Sequence, residues 1–177
     1  MLARFEASPS LPTKEHTANT CLLLAHSGQD VPRLGRIVDA ALATPPGASI
    51  TPWLHLSKGL AEYRAGEGHY EAAVRHLDLS RPGLSVRNAE VTVDLLRAMC
   101  LHRLERAADA WAAYQDARRR FDRDVIRAGE GDLGDGGVEN WLILQVIRRE
   151  AADLFGDAVP ATRPTTRPAA AAAPGGS

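Results

Sequence analysis

The chain contains few aromatic residues and no long apolar run. Three Trp, three Tyr and three Phe make up 5% of its 177 residues, although apolar residues together make up 45%. A β-sandwich of this size would normally carry more aromatic and β-branched side chains. No segment approaches the roughly 18 apolar residues that a membrane-spanning helix needs. The sequence therefore favours an all-α chain that does not cross a membrane.

The chain also has no large excess of positive or of negative residues. Lys and Arg number 21 against 22 Asp and Glu, for a net charge of −1, which gives no reason to expect nucleic acid or an anionic membrane as the main partner. Cys21 and Cys100 lie in apolar helical patterns and are expected to be buried free thiols. The alternative that the sequence allows is a disulfide. The first 15 residues have no apolar stretch typical of a secretory signal, so we expect a cytoplasmic protein.

Alanine, the best helix former, is abundant, with 30 residues. Apolar residues recur at helical spacing, and prolines and glycines interrupt the pattern. This predicts one turn of helix at 2–5 and seven helices at 13–25, 32–43, 53–64, 70–80, 88–104, 106–127 and 139–155. The first six form three pairs, and the seventh caps them. We expect one domain at 1–156 and a disordered Pro-, Ala- and Thr-rich tail at 157–177.

The turns between these helices carry their own signals. Asp30 and Thr51 are predicted to cap the helices that follow them, each with a proline just after it. Gly66 and Gly68 are predicted to take left-handed conformations. Glu105 occupies a turn where glycine is usual, and we therefore expect a weak point there.

The central and third pairs repeat one pattern of small and large side chains. The alanines of their second helices, Ala73 and Ala110, are 37 residues apart, close to a period of roughly 34 with a short insertion. Antiparallel helices need small residues where their backbones approach and large ones beside them. The residues predicted to make this packing are Gly59, Ala73, Leu77, Ala98, Leu101, Ala110, Tyr114 and Ala117.

This pattern resembles the tetratricopeptide family, whose helix hairpins stack into solenoids that bind other proteins. In order along the chain, the strings MLARF, TANTCLLL, WLHLSKGLAEYRAG, LLRAMCLHRLERAADA and WLILQVIRREAADL also resemble the C-terminal helical region of large planctomycete-type bacterial serine/threonine kinases, some with WD40 propellers. The resemblance covers roughly residues 1–155. It implies a scaffold in kinase signalling, with a kinase or WD40 domain of the same parent protein as one class of partner.

The kinase catalytic motifs are not in this sequence. It has no glycine-rich phosphate loop, no Val-Ala-Ile-Lys-like lysine, no His-Arg-Asp and no Asp-Phe-Gly. Serine, histidine and aspartate are scattered without a triad or nucleophile elbow. We therefore expect no enzyme activity from this chain, which is either a piece of a larger kinase or a stand-alone module.

The first helices of the pairs predict a groove that binds a protein or peptide partner. Its predicted lining is Trp53, Leu56, Leu60, Tyr63, Thr92, Leu95, Met99 and His102. The alternative is that these side chains are simply core, covered by the N-terminal segment. A second hypothesis is a small regulatory protein that binds nucleic acid or an acidic partner through Arg118–Arg127, although nearby aspartates reduce the charge of that stripe.

No metal ion or cofactor is expected. His55, His69, His76 and His102 form no His-x3-His or Cys-x2-Cys set. The acidic loop at 130–137 lacks the alternating ligands and the closing glutamate of a calcium-binding EF-hand, and a flexible linker is the better interpretation.

Overall fold

The computed structural model describes residues 2–23, 30–44, 49–125 and 137–156. All regular structure in these ranges is helical, which confirms the all-α prediction. The helices are α1 (Leu2–Glu6), α2 (Leu11–Leu22), α3 (Val31–Ala43), α4 (Thr51–Ala65), α5 (Tyr70–Ser80), α6 (Arg87–Arg103), α7 (Ala107–Asp124) and α8 (Gly137–Phe155). A single 3-10 turn, Arg81–Gly83, separates α5 from α6. None of these helices is both long and apolar enough to cross a membrane.

Helices that follow one another in the chain pack together. The closest pairs are α4 with α5 and α6 with α7, and α2 packs against α3 in the same way. Each pair also contacts the next, because α3 packs on α4 and α5 packs on α6. This is the predicted order of three pairs followed by a last helix, and it places α4 at the centre of the array.

The predicted packing residues lie where the helix pairs meet, and all eight are buried. Gly59 shows why a small residue is needed. A Cβ atom built on it would lie 2.7 Å from Leu77 Cδ2 and 3.4 Å from the Ala73 carbonyl oxygen. Glycine therefore lets α4 and α5 approach more closely than any other residue would, since real Cβ contacts are longer than 3 Å.

The turn predictions are partly confirmed. Gly66 and Gly68 have φ values of 89° and 83°, and Glu105 has a φ of 59°. Asp30 precedes α3 as predicted, but its side chain makes no capping hydrogen bond there. Thr51 is already the first residue of α4, and Ile50 holds the capping position. The cap that does form is at Ser10, whose hydroxyl accepts a hydrogen bond from the Thr13 N–H group at 3.3 Å.

Two predicted segments lie outside the described residues. These are the tail at 157–177 and the glycine-rich loop before α8, apart from Gly137, where α8 begins. Both cysteines are free thiols. Cys100 is buried as predicted, and burial raises the pKa of its thiol to about 12. Cys21 is only partly buried.

Candidate functional site

The last helix, α8, closes the side of the array on which the groove was predicted. It packs along α6, and its inner residues Ile143, Leu144, Ile147, Ala151 and Ala152 are almost fully buried. The first three and Ala151 join the same apolar core cluster as the residues of α4 and α6. This helix is therefore part of the core, in addition to covering the end of the helical array.

Polar side chains connect α8 to two further helices. Arg64 of α4 donates two hydrogen bonds to the Glu150 carboxylate, each at 2.7 Å, and a third to the Leu22 carbonyl oxygen at the end of α2. Near the start of α8, Glu139 Oε1 lies 3.0 Å from His16 Nδ1 of α2. The Arg64 side chain is only 8% exposed, so its bonds are largely shielded from water. Its bonds to Glu150 and to the Leu22 carbonyl oxygen join α4 to α8 and to the end of α2.

The final residue of α8 lies among aromatic rings at the opposite end of the helix. Phe155 stacks on Tyr114 of α7, with ring centroids 4.3 Å apart and an interplanar angle of 6°. Trp111 and His102 contact the Phe155 ring at centroid distances of 6.0 and 5.2 Å, respectively. Such stacked and tilted arrangements are the favourable ones for aromatic pairs. They fix the C-terminal end of α8 against α6 and α7.

The predicted groove is consequently not an open surface. Five of its eight residues are fully buried, namely Leu56, Leu60, Thr92, Leu95 and Met99. Trp53 and Tyr63 are half-buried, and only His102 is exposed. The expectation of an open partner groove is corrected here, because most of its predicted lining is buried in the core. The alternative of core residues is favoured. As that alternative expected, the N-terminal segment covers the α4 residues, because α2 packs against α4, and α8 packs along α6.

Charged and imidazole groups instead gather on another face of α4. His55, Lys58 and Glu62 recur at spacings of three and four, which places them on one face of the helix. Asp39 of α3 lies on one side of this line, and His76 of α5 lies on the other. We call these five residues, with His69 at the start of α5, the polar cleft.

Ion pairs hold the centre of the polar cleft in place. Lys58 Nζ lies 2.7 Å from Asp39 Oδ1 and 2.8 Å from Glu62 Oε1, and the lysine is only 9% exposed. Glu62 also accepts a hydrogen bond from His69 Nδ1 at 2.6 Å. A cavity of about 360 Å³ opens beside these groups, between α3 and the C-terminal half of α4, with Pro32 and Arg36 on its wall.

The electrostatics of the cleft keep its central groups charged. Burial opposes the charge on Lys58, but hydrogen bonds to Asp39 and Glu62 outweigh it and raise the pKa of the amine. Burial likewise opposes the charge on Glu62, yet its bonds to Lys58 and His69 lower the pKa of that carboxyl. Both groups are therefore fixed charges near neutral pH. Such groups suit recognition better than proton transfer, which needs a pKa close to the working pH.

The two remaining histidines face each other. His55 Nδ1 and His76 Nδ1 are 3.0 Å apart, so one ring donates its proton and the other accepts it. Burial lowers the pKa of both rings, and the neighbouring ring lowers that of His76 further. In the described part of the chain no group of three or more His, Cys, Asp or Glu side chains is arranged to hold a metal ion.

The basic stripe at the end of α7 is mixed with aspartates. Arg119 pairs with Asp116 at 3.2 Å, and Arg123 pairs with Asp124 at 2.7 Å. Arg120 lies between Asp94 and Asp116. Arg127 is outside the described residues. These pairs reduce the positive potential that a nucleic-acid surface would need.

Only part of the polar cleft has a local signal in the sequence. Lys58 and Glu62 are four residues apart on a predicted helix, and that spacing alone indicates an ion pair. Asp39 and His76 join them only through the packing of α3 and α5 on α4. Comparisons with protein-family models, with curated proteins and with solved structures give no significant match to this chain. Its function must therefore be argued from this geometry and from the sequence resemblance.

Proposed function

We propose that this protein is a non-catalytic protein-binding module that holds its partner at the polar cleft. The observation that carries this proposal is the cavity of about 360 Å³ bordered by Lys58, Asp39 and Glu62. Ion pairs fix these charged groups before any partner arrives, so binding does not have to order them. Preorganised polar groups beside a concave surface are typical of recognition sites.

The cleft and cavity offer both signs of charge to a partner. Arg36 and Asp39 of α3 and Lys58 and Glu62 of α4 all line the cavity, so each of the two helices provides one cation and one anion. A polar segment of a protein, carrying both a carboxylate and a basic or amide group, fits this lining better than an apolar helix does. The predicted groove would need an open apolar face, and most of its lining is buried in the core.

The exposed Arg36 gives a direct test, because it lines the cavity without belonging to the buried ion pairs. The protein is cross-linked to its partner in the cells that make it, and the recovered partner is identified and quantified by mass spectrometry. Arg36→Glu should reduce recovery of the partner by about tenfold, since reversing a rim charge commonly changes binding by that order. Arg119→Glu, at another exposed helical arginine, is the matched control and should leave recovery unchanged.

The opposite pattern would contradict the proposal. If Arg36→Glu retains the partner and Arg119→Glu loses it, the stripe at the end of α7 is the binding surface. A steep loss of binding with salt would then identify a nucleic acid as the ligand, because phosphate contacts release counterions.

The link to kinase signalling is the second part of the proposal, and it depends on the sequence resemblance. We propose that the module is, or derives from, the cytoplasmic accessory region of a bacterial serine/threonine kinase. An immunoblot of native cells with an antibody against residues 53–117 tests this. A band far above 19.0 kDa is expected for a module within a kinase. A band at 19.0 kDa would mean a free-standing adaptor.

A further inference from the structure

Helix α8 carries a second apolar face, which points away from the core. Five large apolar side chains are exposed in the described residues, and three of them are on this helix: Val138 (58% exposed), Leu142 (48%) and Val146 (36%). They are four residues apart, so they form one stripe along the helix. Since the opposite face already fills the core, α8 is apolar on two sides, which is typical of a helix covered on both.

Two opposite charges flank this stripe. Glu139 and Arg149 are exposed on the same side of α8 as the three apolar residues. At 100° per residue all five positions fall within one 100° sector of the helix. Glu139 faces His16 through only one of its carboxylate oxygens, Oε1. The stripe therefore has an acidic group near its start and a basic group near its end.

The order of these residues is complementary to itself. Position 144 lies midway between Leu142 and Val146 and also midway between Glu139 and Arg149. Consider a two-fold axis that is perpendicular to α8, at the level of residue 144, and on the side of the exposed stripe. It would place two antiparallel copies of α8 face to face. Leu142 of each copy would then oppose Val146 of the other, and Glu139 would oppose Arg149. A two-fold interface requires this kind of self-complementarity.

We propose that α8 forms an antiparallel, two-fold interface with α8 of a second copy of this chain. Ridges of residues four apart pack into each other with helices crossing at about 50°. One such pair of helices, each of about five turns, buries less area than the roughly 1,200 Å² of a standard interface, so the dimer is weak and depends on concentration. This interface is independent of the polar cleft, which involves α3, α4 and α5.

Sedimentation velocity of the full chain, from low to high micromolar concentration, tests the interface. The expected result is a reversible monomer–dimer equilibrium, and Leu142→Glu should weaken it by more than tenfold because the charge would lie in the apolar centre. Thermal melting of Leu142→Glu should stay close to that of the natural chain, because the side chain is exposed. A chain that remains monomeric at every concentration overturns the proposal and indicates that residues 157–177 or another partner cover the stripe.

The charges give a sharper test of the antiparallel register. Glu139→Arg alone would oppose Arg with Arg twice, and Arg149→Glu alone would oppose Glu with Glu twice. Each variant should therefore dimerise about tenfold more weakly than the natural chain. An equal mixture of the two restores both Glu–Arg pairs, so dimers should reappear in the mixture.

A control for the charge reversals is available on α5. Glu71 and Arg75 are both exposed and are also on one helix face. Glu71→Arg and Arg75→Glu, alone or mixed, should leave the equilibrium unchanged. If the mixture of the two α8 variants dimerises no better than either alone, the register and the proposed interface are overturned.

Discussion

The turn after α6 shows at a single residue how local geometry and residue type can disagree. Glu105 has a φ of 59°, in the left-handed region. Its N–H group donates to the His102 carbonyl oxygen at 3.1 Å, and the Arg106 N–H group donates to that of Leu101 at 3.0 Å. These two bonds define a Schellman motif, in which the residue at this position is usually glycine.

Glycine at position 105 should therefore stabilise the protein. The left-handed conformation costs a side-chain-bearing residue about 1–2 kcal/mol, and part of this gain is lost to the greater freedom of glycine in the unfolded chain. We expect Glu105→Gly to raise the free energy of unfolding by about 0.5–1 kcal/mol in urea denaturation. Ala108→Gly, within the first turn of α7, should instead lower it by about the same amount. A loss of stability in Glu105→Gly would mean that the glutamate side chain itself stabilises the turn.

At the scale of the helices, boundaries were far more predictable than placement. Prolines near the starts of α3 and α4 and glycines after α4 are local signals, and the predicted ends agree with the structure to within about three residues. The placement of α8 depends on contacts such as His16 with Glu139, which are 123 residues apart in the chain. No local pattern encodes such a contact, so the sequence left open whether Leu56 and Met99 line a groove or belong to the core.

Arg64 is the side chain on which the placement of α8 depends most. Its guanidinium group reaches Glu150 and the carbonyl oxygens of Leu22 and Leu23, so one residue connects three helices. Arg64→Ala leaves these acceptors without their donor in a partly buried site. We expect it to lower the free energy of unfolding by about 2–4 kcal/mol.

Hydrogen exchange locates the effect of Arg64→Ala. Amide protection should fall first in α8 and at the end of α2. Arg97→Ala is the matched control, because Arg97 forms a comparable bond of 2.9 Å to Asp78 but on the surface. Arg97→Ala should lower the free energy of unfolding by less than about 1 kcal/mol. Equal effects of the two substitutions would show that the guanidinium of Arg64 does not join α8 to the array.

For the whole molecule, the array has two sides with different chemistry. The side closed by α8 is apolar and continuous with the core, whereas the polar cleft faces the cavity between α3 and α4. The sequence pattern predicted partner binding on the first side, because helix-hairpin arrays commonly bind proteins or peptides on that side. The structure leaves the second side open. Its ion pairs join Asp39 of α3 to Lys58 and Glu62 of α4, and the packing of the two helices brings these residues together.

A buried carboxyl on α2, next to α4, connects the stability of the array to pH. Glu15 is only 3% exposed and lies 3.5 Å from the Ser57 hydroxyl, with Asn19, His16 and Glu139 around it. Burial raises the pKa of Glu15 from 4.5 to about 7. The Asn19 side-chain amide group donates a hydrogen bond to Glu15 Oε1, and its own oxygen, Oδ1, is buried without a hydrogen-bond partner.

The sign of the pH effect follows from this raised pKa. The unfolded chain releases the Glu15 proton at a lower pH than the folded chain, so the free energy of unfolding falls as the pH rises from about 4.5 to about 7. His16 acts in the same direction, since its hydrogen bond to Glu139 raises its pKa. His55 and His76 act oppositely, because their lowered pKa values cost stability as the pH falls below 6.5.

Glu15→Gln isolates the carboxyl, because the amide keeps the shape and the hydrogen bonds without a charge. We expect this variant to be more stable than the natural chain by about 1–3 kcal/mol at pH 8, and to show little difference near pH 4.5. Urea denaturation at several pH values measures this, with Glu71→Gln as the control for losing an exposed carboxylate. A difference that does not grow with pH would contradict a neutral Glu15 in the folded state.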